Sequence, residues 1–158
     1  MSVVINISKT YYKPIQTYSK LFASGASEKE NLAYLVGGCF ISFVAEWPAQ
    51  ARLAFTNQQP VDELMGAILL SNLFLLPLIF YLISMIVYFF AKIFRSDILG
   101  LEVRLIIFWA YLAATPILLL VGLVEGFIGK NFQYFIISGV WLSVFLAFIY
   151  SGFKGRSR

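Results

Sequence analysis

The second quarter of the chain contains a long apolar run that decides where the protein resides. From Leu64 to Ala91, 28 consecutive residues carry no charge. A bilayer's hydrocarbon core is roughly 30 Å thick and needs about 20 apolar helical residues to cross it, whereas buried helices of soluble proteins show apolar runs of about 10 to 14. The whole chain is 60% hydrophobic and only 13% charged, while soluble domains carry about 25% charged residues. The run therefore predicts a membrane span.

The same argument predicts three further spans. They cover residues 28–47, 105–124 and 132–153, in addition to 64–91. Ser27 and Glu30 have the spacing of a helix capping box at the start of the first span. Pro77 and Pro116 lie inside later spans, where we expect kinks. With no repeat or linker, residues 1–158 are expected to form one domain: an all-α, polytopic integral membrane protein with a bundle of four transmembrane helices.

Basic residues divide unequally between the two sides of this arrangement. Ten fall in the N-terminal segment, the central loop and the C-terminal segment, and only Arg52 and Lys130 fall on the other side. The positive-inside rule then places both termini and the central loop in the cytoplasm. The net charge of +4 indicates contact with anionic lipid headgroups and argues against nucleic acid as a partner. The residues expected to contact lipid headgroups are Lys13, Lys20, Arg95 and Arg104.

Two segments outside the spans have features of their own. Residues 1–26 form the cytoplasmic segment, in which Pro14 can open a helix whose apolar residues recur at three- and four-residue spacing, as in Ile15, Tyr18 and Leu21. This pattern predicts an amphipathic interfacial helix of about three turns ahead of the first span. On the opposite side of the membrane, residues 48–60 are expected to form a short polar connection between the first and second spans.

The sequence carries no motif for catalysis or for a cofactor. Histidine is absent and Cys39 is the single cysteine, which excludes an internal disulfide, a cysteine-histidine zinc site and a histidine-held haem. Gly-rich nucleotide loops, the nucleophile elbow and the HExxH signature are also missing. We therefore expect a protein without enzymatic activity, cofactor or metal.

Three polar residues in or beside the spans are candidates for a site. Glu46 and Glu125 lie near the outer ends of the first and third spans, and Asn72 lies deeper in the second. Carboxylates at that depth cost free energy unless they are hydrated or paired. The plainer interpretation is that both are interfacial and hydrated. The alternative is a cation or polar-substrate site on the external face.

Small residues recur every four positions in several spans. Such stripes allow helix backbones to approach closely in lipid, which predicts packing faces. In a four-helix bundle we expect most of them to pack within the chain, the alternative being a dimer or a foreign partner. The predicted packing residues are Gly139, Ser143, Ala147 and Ser151 in the fourth span, Gly38 and Ser42 in the first, and Ala110 and Ala114 in the third.

Several motifs resemble a known family. The motifs are Glu46-Trp47-Pro48, Arg104-Leu105, Phe108-Trp109, Pro116, and the glycine-containing stretch at residues 122–129. Over residues 31–148 the chain resembles bacterial, especially alphaproteobacterial, members of the Yip (Ypt-interacting protein) domain family. The resemblance implies a polytopic helical protein of the bacterial inner membrane without an established biochemical activity. Eukaryotic relatives have five spans, an acidic proline-containing motif and Rab GTPase partners, which this four-span chain does not share.

Three classes of function follow from these observations. The favoured one is a non-enzymatic scaffold or accessory subunit that acts through helix-helix and lipid contacts, with membrane lipids and other membrane subunits or further copies of itself as partners. A small transporter, channel or lipid-handling protein is the alternative, and an enzyme comes third. A polar cavity joining Glu46, Asn72 and Glu125 would favour transport, whereas a dry interior with an exposed small-residue stripe would favour assembly.

Overall fold

The computed structural model describes residues 3–25, 27–58, 60–94 and 97–156, and within these ranges every regular element is helical. Four stretches are long and apolar enough to cross a membrane. The expected all-α fold with four spanning helices is therefore confirmed, and the chain is a multi-pass membrane protein. The helices are α1 (Val3–Tyr12), α2 (Pro14–Ala23), α3 (Glu28–Asn57), α4 (Val61–Leu70), α5 (Leu76–Phe94), α6 (Gly100–Ile128) and α7 (Phe132–Arg156).

The spanning helices extend beyond the apolar runs from which they were predicted. Ser27 caps α3 by accepting a hydrogen bond from the Glu30 backbone N–H at 3.2 Å, as the capping spacing predicts. The expected polar connection after Pro48 is wrong, because α3 continues through this proline to Asn57. Ala49 and Ala54 are buried in the added turns, so tertiary packing maintains the helix there.

The second span changes helix type near its middle. Between α4 and α5 the chain forms one π-helical turn, Ser71–Leu75, in which the Leu76 N–H donates to the Ser71 carbonyl five residues back. A proline ring clashes with the carbonyl four residues before it, which for Pro77 is that of Leu73, inside the wide turn. The irregularity expected at Pro77 is thus absorbed by a π turn just before it.

Helix α6 forms the centre of the bundle. In its most apolar window 72% of residues are buried, against 6% in α7. Helix α3 runs parallel to α6, since Asn31 donates to the Leu101 carbonyl at one end and Arg52 donates to the Gly126 carbonyl at the other. The end where α3 and α6 begin and α7 finishes is called the terminal end below, and the opposite end is called the far end.

Helices α1 and α2 form a hairpin that covers the terminal half of α6. Tyr11 Oη donates to the Ala113 carbonyl at 2.9 Å, and the Trp109 indole N–H donates to Thr10 Oγ1 at 3.1 Å. In α2, the fully buried Tyr18 donates to the Ile106 carbonyl at 3.1 Å. Its burial raises the pKa of Tyr18 well above the usual 10, which keeps the hydroxyl a donor.

The hairpin differs from the expected interfacial helix in what its apolar face touches. Tyr18 and Leu21 pack on α6 instead of facing lipid. Helix α2 also crosses the end of α7, where Ser19 Oγ donates to the Gly155 carbonyl at 2.9 Å. A Cβ on Gly155 would lie only 2.9 Å from both the Ile15 carbonyl oxygen and Tyr18 Cβ. Helix α2 is therefore part of the bundle, because glycines let it come close to α7.

Candidate functional site

The closest helix contact in the molecule joins α3 to α6. A Cβ on Gly122 would lie 2.6 Å from the Ala45 carbonyl carbon, and one on Gly126 would lie 2.8 Å from the Pro48 carbonyl carbon. A Cβ on Gly38 would lie 2.7 Å from the aromatic ring of Tyr111 on α6. This is the use that small residues have in membrane helices, where they admit a neighbouring backbone. Of the predicted packing residues, the structure places Gly38, Ser42, Ala110 and Ala114 in buried positions.

The stripe on α7 has a different environment. Gly139, Ser143 and Ala147 are exposed, Ser151 is half-buried, and a Cβ on Gly139 would have no atom within 4 Å. Ser143 and Ser151 each donate to the carbonyl four residues back, at 2.8 Å. The expectation that this stripe packs within the chain is wrong, because α7 turns Phe148 and Gly152 towards α6 instead.

The structure brings together the three predicted polar residues at the far end. Asn72, 4% exposed, lies on the π turn near the half-buried Glu46 carboxylate, and Glu125 also lies near enough to act on that carboxylate electrostatically. Asn72 also donates to the Ile68 carbonyl at 3.2 Å. Glu125 pairs with Lys130 at 3.4 Å. The site can thus hold a partly screened carboxylate pair beside one amide.

A second polar pair lies deeper in the bundle than Glu46, Asn72 and Glu125. Ser42 Oγ and Tyr111 Oη are hydrogen-bonded to each other and buried, and Ser42 donates to the Gly38 carbonyl at 2.9 Å. Glu46 and Cys39 both act electrostatically on the Tyr111 hydroxyl. Polar groups therefore extend from the far end to the middle of the α3–α6 contact. This extension was not predictable from the sequence, since a lone serine and a lone tyrosine in apolar helices carry no spacing signal.

Ion pairs link α3 and α7 to α6 at the terminal end. Arg104 pairs with Glu28, whose carboxylate also accepts a hydrogen bond from Tyr81 Oη at 3.4 Å. Arg156 pairs with Glu102 at 2.7 Å. Arg104, predicted to contact lipid headgroups, forms a pair between α3 and α6 and keeps 33% of its side chain exposed. The partner was not predictable, because the two residues are 76 positions apart.

The predicted headgroup lysines lie beside a cavity. Lys13 and Lys20 are exposed and both line a space of about 560 Å³ between α1, α2 and the start of α3. Arg95, the remaining predicted headgroup residue, lies outside the described residues. Across the described ranges, no three of the Cys, Asp and Glu residues come together as a group able to hold a metal ion.

Comparisons with known proteins provide no assignment: no family model, no curated protein and no solved structure matches this chain.

Proposed function

We propose that this protein is a non-enzymatic scaffold or accessory subunit that associates with another transmembrane helix through α7. The observation that carries the proposal is the exposed stripe formed by Gly139, Ser143 and Ala147. In lipid the hydrophobic effect does not drive helices together, so association depends on close packing. The same chain uses small residues for this purpose at the α3–α6 contact, where Gly122 and Gly126 admit a neighbouring backbone.

The chemistry of the stripe supports this proposal. Ser143 and Ser151 satisfy their hydroxyls on their own helix, so a neighbour meets a shallow surface without unpaired donors. The partner we propose is a transmembrane helix, either of another membrane subunit or of a second copy of this chain. From Gly139 to Ala147 the exposed stripe spans about two helical turns, about 12 Å, which is long enough for a helix crossing.

We further propose that the membrane is a bacterial inner membrane with the terminal end facing the cytoplasm. The ten-to-two division of basic residues supports this orientation, and the motif resemblance supports membership of the Yip-like group. Alkaline phosphatase fused after Asn57 or Lys130 should be active, and fusions after Asp97 or Arg158 should be inactive. An active fusion after Arg158 would contradict the orientation.

The association itself is tested with a matched pair of leucine substitutions. Gly139→Leu places a large side chain on the stripe, and Gly66→Leu does so on exposed α4, where an added Cβ likewise has no atom within 4 Å. Neither should disturb the fold. We expect Gly139→Leu to release the partner in mild-detergent purification followed by mass spectrometry, while Gly66→Leu retains it. Identical complexes from both variants would overturn the proposal.

A second candidate function, transport of a cation or small polar solute, is favoured by one observation. The π turn places the buried Asn72 near the Glu46 carboxylate, and π-helical turns are frequent at functional sites. In this case Glu46→Gln or Glu125→Gln should abolish a flux or growth phenotype that Gly139→Leu leaves intact. For a scaffold the two glutamine variants should be silent.

A further inference from the structure

A cavity at the terminal end lies in the angle between α1 and α2. The two helices are joined by the single residue Lys13, and their inner faces meet the start of α3 at Glu30 and Tyr34. The enclosed volume is about 560 Å³, within the range of about 300 to 1,000 Å³ typical of small-molecule sites. Its polar wall presents hydroxyl and amide groups, from Asn6, Gln16, Thr17 and Ser24.

The cavity is electropositive. Lys9, Lys13 and Lys20 line it against the single carboxylate of Glu30. Among the described residues, none of these three ammonium groups lies in an ion pair with a carboxylate. The wall therefore carries two positive charges in excess, together with the amide donors of Asn6 and Gln16, while the Thr17 and Ser24 hydroxyls donate to backbone carbonyls. That combination suits phosphate groups, which lysine binds as a compact charge.

The position of the cavity indicates where the phosphate comes from. The lipid-facing surface of α5 remains apolar as far as Phe89 and Phe90, and the neighbouring Tyr88 packs beside Gly100 at the start of α6. Glu30 and Tyr34, which line the cavity, lie in the first two turns of α3, and the neighbouring Asn31 donates to the Leu101 carbonyl at this same start of α6. The cavity therefore lies at the level where the apolar belt gives way to headgroups.

Apolar residues beside the cavity are suited to contact the acyl chains of a lipid. Helix α1 presents large apolar side chains away from the bundle: Val4 is 70% exposed and Tyr12 is 87% exposed. A lipid whose phosphate enters the cavity would lay its acyl chains over these residues. We propose that this cavity binds the headgroup of an anionic phospholipid, with Lys9, Lys13 and Lys20 contacting phosphate oxygens. The excess of two charges favours a headgroup with two phosphates over one with a single phosphate.

The test uses the full-length protein in mild detergent and native mass spectrometry with three lipids: diphosphatidylglycerol, phosphatidylglycerol and phosphatidylcholine. Wild type should retain them in that order. The double variant K13Q/K20Q should weaken diphosphatidylglycerol binding by about tenfold to thirtyfold. The matched control is K29Q/K92Q, which removes two exposed lysines of the same end that do not line the cavity. It should change binding less than about twofold. Equal losses from both pairs, or no loss from K13Q/K20Q, would overturn the proposal.

Two further measurements separate a defined site from surface charge. Ser24→Phe keeps every lysine and fills the cavity, so it should reduce binding as much as K13Q/K20Q. Unchanged binding would show that charge alone attracts the lipid and would overturn the site. Inorganic phosphate and soluble glycerophosphate at millimolar concentration should fail to displace the lipid. If either displaces it fully, the natural ligand is a soluble phosphate and the lipid assignment is wrong.

Discussion

A methyl group added at Gly122 tests whether the α3–α6 contact holds the bundle together. In Gly122→Ala the new Cβ would lie 2.6 Å from the Ala45 carbonyl carbon and 3.2 Å from its Cα, whereas ordinary contacts are 3.4 to 4 Å. The obstructing atoms belong to the backbone of a spanning helix, so no side-chain rotation relieves the clash. Because the Ala45 carbonyl oxygen lies closer still, helix α3 must move by more than an ångström.

The expected cost follows from two opposing contributions. Overpacking of this kind costs about 1 to 3 kcal/mol, and rigid backbone neighbours place Gly122 at the upper end. Replacing glycine by alanine inside a helix returns roughly 1 kcal/mol. We expect a net loss of about 2 kcal/mol, which raises the population of molecules with α3 detached roughly thirtyfold. Gly139→Ala is the control: an added Cβ there has no atom within 4 Å, so only the helix-propensity gain remains.

The single cysteine supplies the assay. Cys39 is 0% exposed and lies in a core cluster shared by α3, α5 and α6. Its alkylation by a maleimide in mild detergent therefore requires α3 to separate from the helices packed on it. When reclosing is faster than alkylation, the rate follows the open population. Gly122→Ala should react about thirtyfold faster than wild type, and Gly139→Ala should react no faster. Wild-type reactivity of Gly122→Ala would refute the inference that this contact determines stability.

Two further predictions concern the terminal end. Arg156→Gln breaks a pair whose side chains are 19% and 21% exposed, and Arg104→Gln breaks one whose side chains are 33% and 44% exposed. Because solvent screens the second pair more, Arg156→Gln should lower the free energy of unfolding in detergent by about 1 to 3 kcal/mol and Arg104→Gln by less than about 1 kcal/mol, measured as loss of helical circular dichroism with rising denaturant. Equal costs would contradict this ranking. Tyr18→Phe removes the hydrogen bond to the Ile106 carbonyl and should loosen α2 by about 1 kcal/mol, seen as faster tryptic cleavage in the hairpin. Burial raises the pKa of Tyr18. The hydrogen bond therefore stabilises the hairpin below about pH 10 and is lost only as the pH rises further. The rate of tryptic cleavage in the hairpin should accordingly be constant between about pH 7 and 9. A cleavage rate that rises across that interval would contradict the assignment.

The spanning helices were predictable because the bilayer imposes a length and an apolarity that a single sequence displays. Their ends were not. Helix α3 continues past Pro48 because Ala49 and Ala54 pack in the added turns, and a contact with another helix leaves no local mark in the sequence. The π turn likewise depends on how Pro77 is accommodated within a particular bundle.

The residues of the polar site were predictable from the sequence, but the contacts between them were not. The depth of Glu46, Asn72 and Glu125 in apolar runs identified them as costly and therefore notable. That Asn72 faces Glu46 depends on the helical phase of the π turn, which hydropathy does not encode. Small-residue spacing had the opposite limitation: it identified faces suited to close packing without showing that the stripe at Gly139 would lie on the outside.

The enclosure of α6 has a consequence for the order in which the protein is assembled. The α1–α2 hairpin is synthesised before α6 and α7, yet its docking surface includes Ile106, Gly152 and Gly155. Until the last helix leaves the ribosome, Tyr18 has no complete groove to enter. The hairpin must therefore remain at the membrane surface while all four spans are synthesised. Its lysines give it an electrostatic hold on lipid during that interval. The α1–α2 hairpin, which is synthesised first, is thus the last part to pack into the bundle.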